Sequence, residues 1–287
     1  MICVMCPTEI IKPKTGRPKR FCSDSCRLHH HRSKPRSTQR NSIDYTDREK
    51  IIAEYKEAMF RCVLRREKFR FIGPGATQRM RPLALDLFCG DGGAAMGLYA
   101  AGFDVIGVDI VPRPDYPFLF IQADATKPPF DLSIFDFIWA STPCQMYSVC
   151  NNFLKKDYPD LVSTTRVLLR SAALPYIMEN VPAAPFIEPV ALTGDMFGLS
   201  IIRRRHFESN IALSVPLHSP GRGSVKRGDC FTVAGNGGRG GNLSDWRDAM
   251  GIDWMKKKTL VQAVPPAYSW YLAKQLIKII YAKRDII

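Results

Sequence analysis

Leu83-Ala84-Leu85-Asp86-Leu87-Phe88-Cys89-Gly90-Asp91-Gly92-Gly93 is the stretch whose reading decides the fold. Residues 83–88 form a short apolar run, of strand length rather than helix length. The glycines after it let the backbone turn tightly and approach a ligand, and the segment then opens a helix. Outward from there, residues 105–108, 119–123, 134–140 and 176–178 read as further buried strands, alternating with loops and helices. That alternation predicts an α/β, doubly wound parallel sheet. In such sheets ligands sit beyond the carboxyl ends of the strands. Asp86, Asp109, Asp124, Cys144 and Glu179 stand at or just beyond such ends, and their coincidence weighs more than any single motif.

A chain of 287 residues, 46% hydrophobic, has room for one large domain or a domain plus a small module. Its formal net charge of +14 is unevenly spread. Residues 1–82 hold 20 Lys and Arg against 8 Asp and Glu, whereas residues 83–287 hold 21 against 19. A basic quarter joined to a near-neutral body points to a polyanionic partner, nucleic acid first. The bland alternative is a solvated basic face. Residues 1–11 carry two cysteines and no long apolar core, so no secretory signal is expected. No stretch approaches the ~20 apolar residues of a membrane span. The expected location is the cytoplasm. Nine cysteines without export favour reduced thiols, metal ligands or catalysis over disulfides.

The expected organisation is a basic module at 1–36, a linker and basic helix at 37–82, a catalytic core at 83–208, a recognition region at 209–245, and a return to the core at 246–287. Thr46-Asp47-Arg48-Glu49 has the form of a capping box, followed by Ile51, Tyr55, Met59 and Val63 at helical spacing. Gly73-Pro74-Gly75 should stop that helix. Residues 221–241 hold eight of the 20 glycines and read as a mobile surface segment, and residues 268–283 read as a helix packed on the body. No internal repeat is visible.

Asp109 lies 23 residues after Asp86, a place from which a carboxylate can hold ribose hydroxyls. Asp124 could accept from an adenine amino group. The G-x-G-x-x-G spacing of dinucleotide folds is absent. Thr142-Pro143-Cys144-Gln145 follows the fourth strand. A lone cysteine is more often a small core residue than a nucleophile. Here Glu179-Asn180-Val181 should lie beside it, and Arg203 and Arg205 are spaced to point one way from an extended segment. These groups suit methylation of cytosine at carbon 5. A thiolate adding at carbon 6 makes carbon 5 nucleophilic, dividing one hard step into easier ones. Glu179 would bind the N3 and amino edge, and an arginine would stabilise developing charge.

The chain resembles the cytosine-C5 DNA methyltransferases, compact phage-encoded ones in particular. The matching segments are DLFCGDGGAAMGL (86–98), VDI (108–110), ADAT (123–126), PCQMYS (143–148), ENV (179–181) and RRRHFE (203–208). WRDAMGIDWM (246–255) and QAVPPAY (262–268) look like the family's two late motifs. Together they run in family order over residues 83–283. The resemblance implies an S-adenosylmethionine-dependent sheet with a small recognition region, and double-stranded DNA as partner. It implies Cys144 as nucleophile, Glu179 as base-binding acid, and Arg203 and Arg205 as supporting cations. For S-adenosylmethionine it implies Asp86, Phe88, Gly90, Gly92, Asp109, Ile110, Asp124, Pro143 and Gln262, with Phe88 against the adenine. Gln145 and Ser148 would lie on a loop closing over a flipped base, and Lys155 and Lys156 would touch phosphates. A monomer is expected, in a bacterial or phage-infected cell, serving restriction-modification or protecting phage DNA. Two departures stand out: Thr142 precedes Pro-Cys, and Val261-Gln262-Ala263-Val264 replaces the family's Gly-Asn-Ser-Val. Rival readings are an RNA cytosine-C5 methyltransferase and a catalytically silent DNA-binding protein. Amino-methylating enzymes use an Asp/Asn/Ser-Pro-Pro-aromatic motif, which Thr-Pro-Cys-Gln does not match.

Cys3-x2-Cys6 and Cys22-x3-Cys26 are separated by 15 residues, a spacing that suits a closed tetrahedral Zn2+ site. So short a segment, with few apolar residues, needs metal binding to fold. Residues 21–27 also resemble FCS-type zinc fingers. With only about 40 residues between the arginine segment and Trp246, the zinc module could add DNA contacts. The expectation for Cys62, Cys89, Cys150 and Cys230 is no chemistry, with Cys89 nearest the cofactor.

Overall fold

A computed structural model of the chain describes residues 45–65, 81–148, 157–216, 225, 228–235 and 238–284. The four-cysteine module, the Gly73-Pro74-Gly75 stop and Lys155 and Lys156 lie outside the described residues.

The first described element is helix α1, Tyr45–Arg65. It begins one residue before Thr46, so the capping box does not mark its start. Ile51, Tyr55, Ala58 and Met59 share the face that packs on the body, and the Tyr55 and Trp270 rings lie 5.5 Å apart. Arg48 donates from Nε and Nη2 to the carbonyl of Asp195 at 3.0 and 2.7 Å. The segment expected as linker and basic helix thus carries a docked helix, and it falls within the compact unit Asp44–Ile287. The apolar face outweighs the basic composition.

Next come β1 (Leu83–Leu87), α2 (Gly93–Ala101), β2 (Asp104–Asp109), β3 (Leu119–Gln122) and β4 (Phe137–Ser141). Then follow α3 (Leu161–Ala172), β5 (Tyr176–Asn180), β6 (Val190–Leu192) and β7 (Arg205–Ser209). Three helices close the order: α4 (Leu243–Met250), α5 (Lys257–Leu260) and α6 (Pro266–Arg284). Among the described residues, seven strands make one sheet in the order β3-β2-β1-β4-β5-β7-β6. The five strands read from the sequence are present and parallel to one another. The sheet is not wholly parallel: β7 runs antiparallel to both β5 and β6. The fourth strand starts later than expected, because Asp131 accepts from the Ser133 amide and turns residues 132–134 into a 3-10 helix.

Strand alternation feeds two cores. Leu83, Leu85 and Leu87 face Val162 and Leu169 of α3 on one side of the sheet. Ala84, Trp139 and Ile177 face α2 and α6 on the other, where Leu98, Leu272 and Leu276 are fully buried. Each such buried leucine contributes roughly 1.5–3 kcal/mol. A third, smaller core holds Ile201, Val233, Trp246, Met250 and Leu260. Strand order reverses between β1 and β4, which opens a crevice beyond their carboxyl ends.

Candidate active site

The loop after β1 is sewn to the end of β2. Phe88 adopts φ 57, a left-handed conformation that a bulky residue takes up at a cost of roughly 1–2 kcal/mol. The Cys89 amide donates to Val108 O at 3.1 Å, and the Gly90 amide to Asp109 Oδ2 at 3.0 Å. Asp109 also accepts from the Val111 amide at 2.9 Å and from Arg113 Nη2 at 3.0 Å. Arg113 Nη1 lies 3.8 Å from Asp91, whose carbonyl accepts from Trp254 Nε1 at 2.8 Å. Glycine loop, second strand and late segment therefore meet around one carboxylate and one guanidinium.

These groups line a cleft of about 580 Å³. Ligand sites commonly enclose about 300–1,000 Å³. One end is built by Phe88, Gly90, Asp109, Ile110 and Asp124, the other by Pro143, Cys144, Gln145, Ser148, Glu179 and Arg205. Gln262 and its neighbours Ala263 and Val264 supply a further wall. Ile110 and Val111 are 68% and 49% exposed, an apolar pair suited to a flat ring. Asp124 lies just past β3, and its Oδ1 accepts from the Thr126 amide and hydroxyl, each at 2.8 Å. Those bonds hold its carboxyl below the usual range.

At the reaction end, Cys144 sits at φ −88, ψ 0, in the sparsely allowed bridge region where many active-site residues lie. Its thiol is pushed above the ordinary range by burial and by the Glu179 charge, while Arg205 and Arg203 pull it down. Glu179 is buried and paired with Arg205, Nε to Oε1 2.9 Å. Burial raises its pKa, and Arg205, Arg203 and the Ser141 hydroxyl oppose that rise. Asn180 Nδ2 donates to Thr142 O at 3.0 Å and to Thr142 Oγ1 at 2.9 Å, so β5 holds the turn that presents Cys144. The Thr142 departure thus adds a hydroxyl acceptor to this clasp. Arg166 of α3 grips Glu208 through two bonds of 2.8 Å, which fixes β7 and with it Arg205.

Three residues assigned to the site do not line the cleft. Arg203 is buried, donating to Val233 O at 2.8 Å and Val261 O at 3.0 Å, and burial pushes its pKa down to about 9. It joins the start of β7 to the wall carrying Gln262, and its charge still bears on Cys144 and Glu179. Asp86 lies fully buried beneath the loop, its pKa raised well above the usual range by burial and by Asp109. Tyr116 reaches it across Gly107, where any Cβ would collide with the tyrosine ring. Gly92 serves the turn: at φ 83, its Cβ would lie 2.7 Å from Pro117. Conversely, Arg113, Ser141, Met255 and Thr259 line the cleft and were not singled out in the sequence. Arg113 was findable as a cation four residues after Asp109, whereas Met255 and Thr259 depend on tertiary packing. Cys89 also lines the cleft, but burial and the charges of Asp86 and Asp109 push its thiol well up. Among the described residues no group of side chains could hold a metal ion, and no helix is long and apolar enough to cross a membrane.

No protein-family model and no curated protein matches the sequence. Solved structures do resemble the fold. The Entamoeba histolytica methyltransferase EhMeth is 11% identical, the match covering 70% of this chain and 99% of that one, with a TM-score of 0.49. A Burkholderia thailandensis 1,6-didemethyltoxoflavin-N1-methyltransferase, solved with 1,6-didemethyltoxoflavin and S-adenosylhomocysteine, is 16% identical over 68% and 76% of the two chains, TM-score 0.25. An antibiotic-related methyltransferase is 16% identical over 45% and 87%, TM-score 0.27. Nothing about this chain's chemistry follows from likenesses at those scores.

Proposed function

We propose that the protein transfers a methyl group from S-adenosylmethionine to carbon 5 of cytosine in double-stranded DNA, through a covalent bond to Cys144. The observation that carries this reading is one cleft with two chemically distinct ends: a glycine loop with two carboxylates and exposed aliphatic residues, and a cysteine beside a buried Glu–Arg pair. The first end fits a nucleoside carrying a charged tail. Ile110, Val111 and Phe88 offer apolar surface for a base, and the carboxylates of Asp109 and Asp124 offer acceptors for hydroxyl and amino groups. S-adenosylmethionine, when bound, supplies an electrophilic methyl group.

At the second end, the Cys144 thiolate adds to carbon 6 of the cytosine. A carbon–sulfur bond forms, and the ring electron pair moves to carbon 5, which would take the methyl group as its bond to the sulfonium breaks and a neutral thioether leaves. Loss of the carbon-5 proton then returns the pair to the ring and expels the thiolate. Cytosine's edge pairs an acceptor at N3 with an amino donor, so Glu179 matches both positions when it carries a proton. Its upward-shifted pKa eases that protonation, and Arg205 fixes the side chain. Carbon 6 of a paired cytosine lies inside the base stack of the duplex, so the base has to be flipped out to reach Cys144.

Labelled S-adenosylmethionine is the direct test, offered with duplex DNA and with folded RNA. Label at carbon 5 of DNA cytosine is expected. Label in RNA alone would overturn the substrate, and label on an exocyclic amino group would overturn the chemistry. Asp109→Ala and Asp124→Ala should each weaken cofactor binding by about 1–3 kcal/mol, read by calorimetry. Unchanged affinity in both would mean that the cleft holds another ligand.

Residues 1–36 are proposed to fold around one zinc ion held by Cys3, Cys6, Cys22 and Cys26 and to touch phosphates without reading bases. One zinc per chain is expected, lost in Cys22→Ser. Each phosphate contact contributes about −0.9 to the log–log salt slope. Deleting residues 1–36 should flatten that slope and leave the methylated sequence unchanged. An unchanged slope, or a new target sequence, would refute this division of labour.

A further inference from the structure

Trp139, Ser141 and Glu179 leave the sheet on one face. Trp139 and Ser141 are two residues apart on β4, and Ser141 is the register partner of Glu179 on β5. The indole of Trp139 is fully buried, and Nε1 donates to Ser141 Oγ at 2.8 Å. An indole N–H can only donate, so the serine oxygen is fixed as the acceptor there and its own hydrogen must point elsewhere. The neighbouring acceptor is Glu179, and both Ser141 and Glu179 line the cleft. The other groups bearing on Glu179 are Arg205 of β7 at 2.9 Å, Arg203 before β7, Cys144 after β4 and Tyr268 of α6. Tyr268 is the neutral hydroxyl among them, and its hydrogen is committed to the carbonyl of Arg203 at 2.7 Å.

We infer that Ser141 is a positioning residue for Glu179: polarised by the Trp139 indole, its hydroxyl donates to the carboxylate and sets that side chain's orientation before a substrate edge arrives. The identity of that edge, the N3 and amino face of cytosine, rests on the function proposed above. The directed relay Trp139 to Ser141 to Glu179 does not. Losing a hydrogen bond that holds a buried carboxyl in line with a substrate edge costs about ten- to a hundredfold in rate. The relay also opposes the effect of burial on Glu179.

The test is a ¹³C-carboxyl NMR titration of glutamate-labelled, substrate-free protein, with Glu179→Gln identifying the resonance. Ser141→Ala removes a donor that favours the ionised form, so the Glu179 midpoint is expected to move to higher pH. Ser141→Thr should restore it. Trp139→Phe, which keeps an aromatic ring but loses the N–H, should shift it part of the way in the same direction. A midpoint unmoved in Ser141→Ala overturns the inference, whatever the protein methylates. In protein that transfers methyl groups to DNA, Ser141→Ala should lower kcat about ten- to a hundredfold with cofactor KM unchanged. A change confined to cofactor KM would also overturn it. Failure of wild-type protein to label DNA would count against the proposed function alone, because the titration reads Ser141 without turnover.

Discussion

Cys144→Ala is expected to reduce methyl transfer by about 10⁴-fold or more, since removing the nucleophile of a covalent mechanism removes the pathway itself. Cofactor binding should survive, because Cys144 follows β4 whereas Asp109 ends β2 and Asp124 follows β3, on the other side of β1 in the sheet. A duplex carrying 5-fluorocytosine should trap wild-type protein covalently, as the fluorine blocks the final proton loss. The trapped peptide should contain Cys144. The competing thiol is Cys89, which also lines the cleft. Burial raises the Cys89 thiol most, the Asp86 and Asp109 carboxyls add to that rise, and a single arginine, Arg113, opposes them. Cys144 also suffers burial and one carboxylate, but two arginines oppose them. Thiolate is therefore easier to form at Cys144. Its fraction grows with pH, so alkylation of the cofactor-free protein should keep climbing past the ordinary thiol range. Arg205→Met removes one opposing cation and should push that climb to still higher pH. A fluorocytosine adduct mapped to Cys89 would sink the assignment.

Much of this site was legible because its chemistry sits at strand ends, and strand ends follow from short apolar runs. Asp109, Cys144 and Glu179 needed only the count of residues from one run to the next. Arg203 shows where that reasoning stops. Arg203 and Arg205 are two apart in an extended segment, and sequence alone gives them equivalent directions. The strand begins only at Arg205, however, so the register that aims Arg205 at Glu179 does not extend to Arg203. Backbone carbonyls of Val233 and Val261 claim Arg203, and neither is near it in the chain. The antiparallel β7 was hidden for a related reason. Its direction is set by how the chain returns after β6, through Gly198 at φ 67 and an irregular stretch with no strand periodicity. Asp86 is buried and does not itself line the cleft. Alternation turns it toward the α2 side, under the loop, where Tyr116 covers it.

Gly97→Ala is expected to destabilise the protein by about 1–3 kcal/mol or more, the cost of overpacking a filled contact. Helix propensity alone predicts the reverse, since alanine in a helix interior is favoured over glycine by roughly 1 kcal/mol. The geometry decides the sign. Helix α2 crosses α6 so closely that a Cβ at Gly97 would overlap Pro266 O and Ser269 Oγ and lie 2.7 Å from Trp270 N. Two of these three are backbone atoms of a buried helix, which cannot rotate aside. Ser269 marks the same closeness from the other side, donating to Ala94 O at 2.8 Å. The contact also reaches the cleft, because Gly93 and Ala94 on α2 and Val264 ahead of α6 all line it. Forcing the helices apart should therefore weaken cofactor binding as well as lower the urea midpoint. Ala173→Gly is the matched reversal. Ala173 ends α3 at φ 52, a left-handed conformation that glycine adopts without strain, so that substitution should stabilise by about 1 kcal/mol. Urea unfolding of the two variants measures both signs at once. A Gly97→Ala protein as stable as wild type would show that α2 and α6 do not meet at this distance in solution.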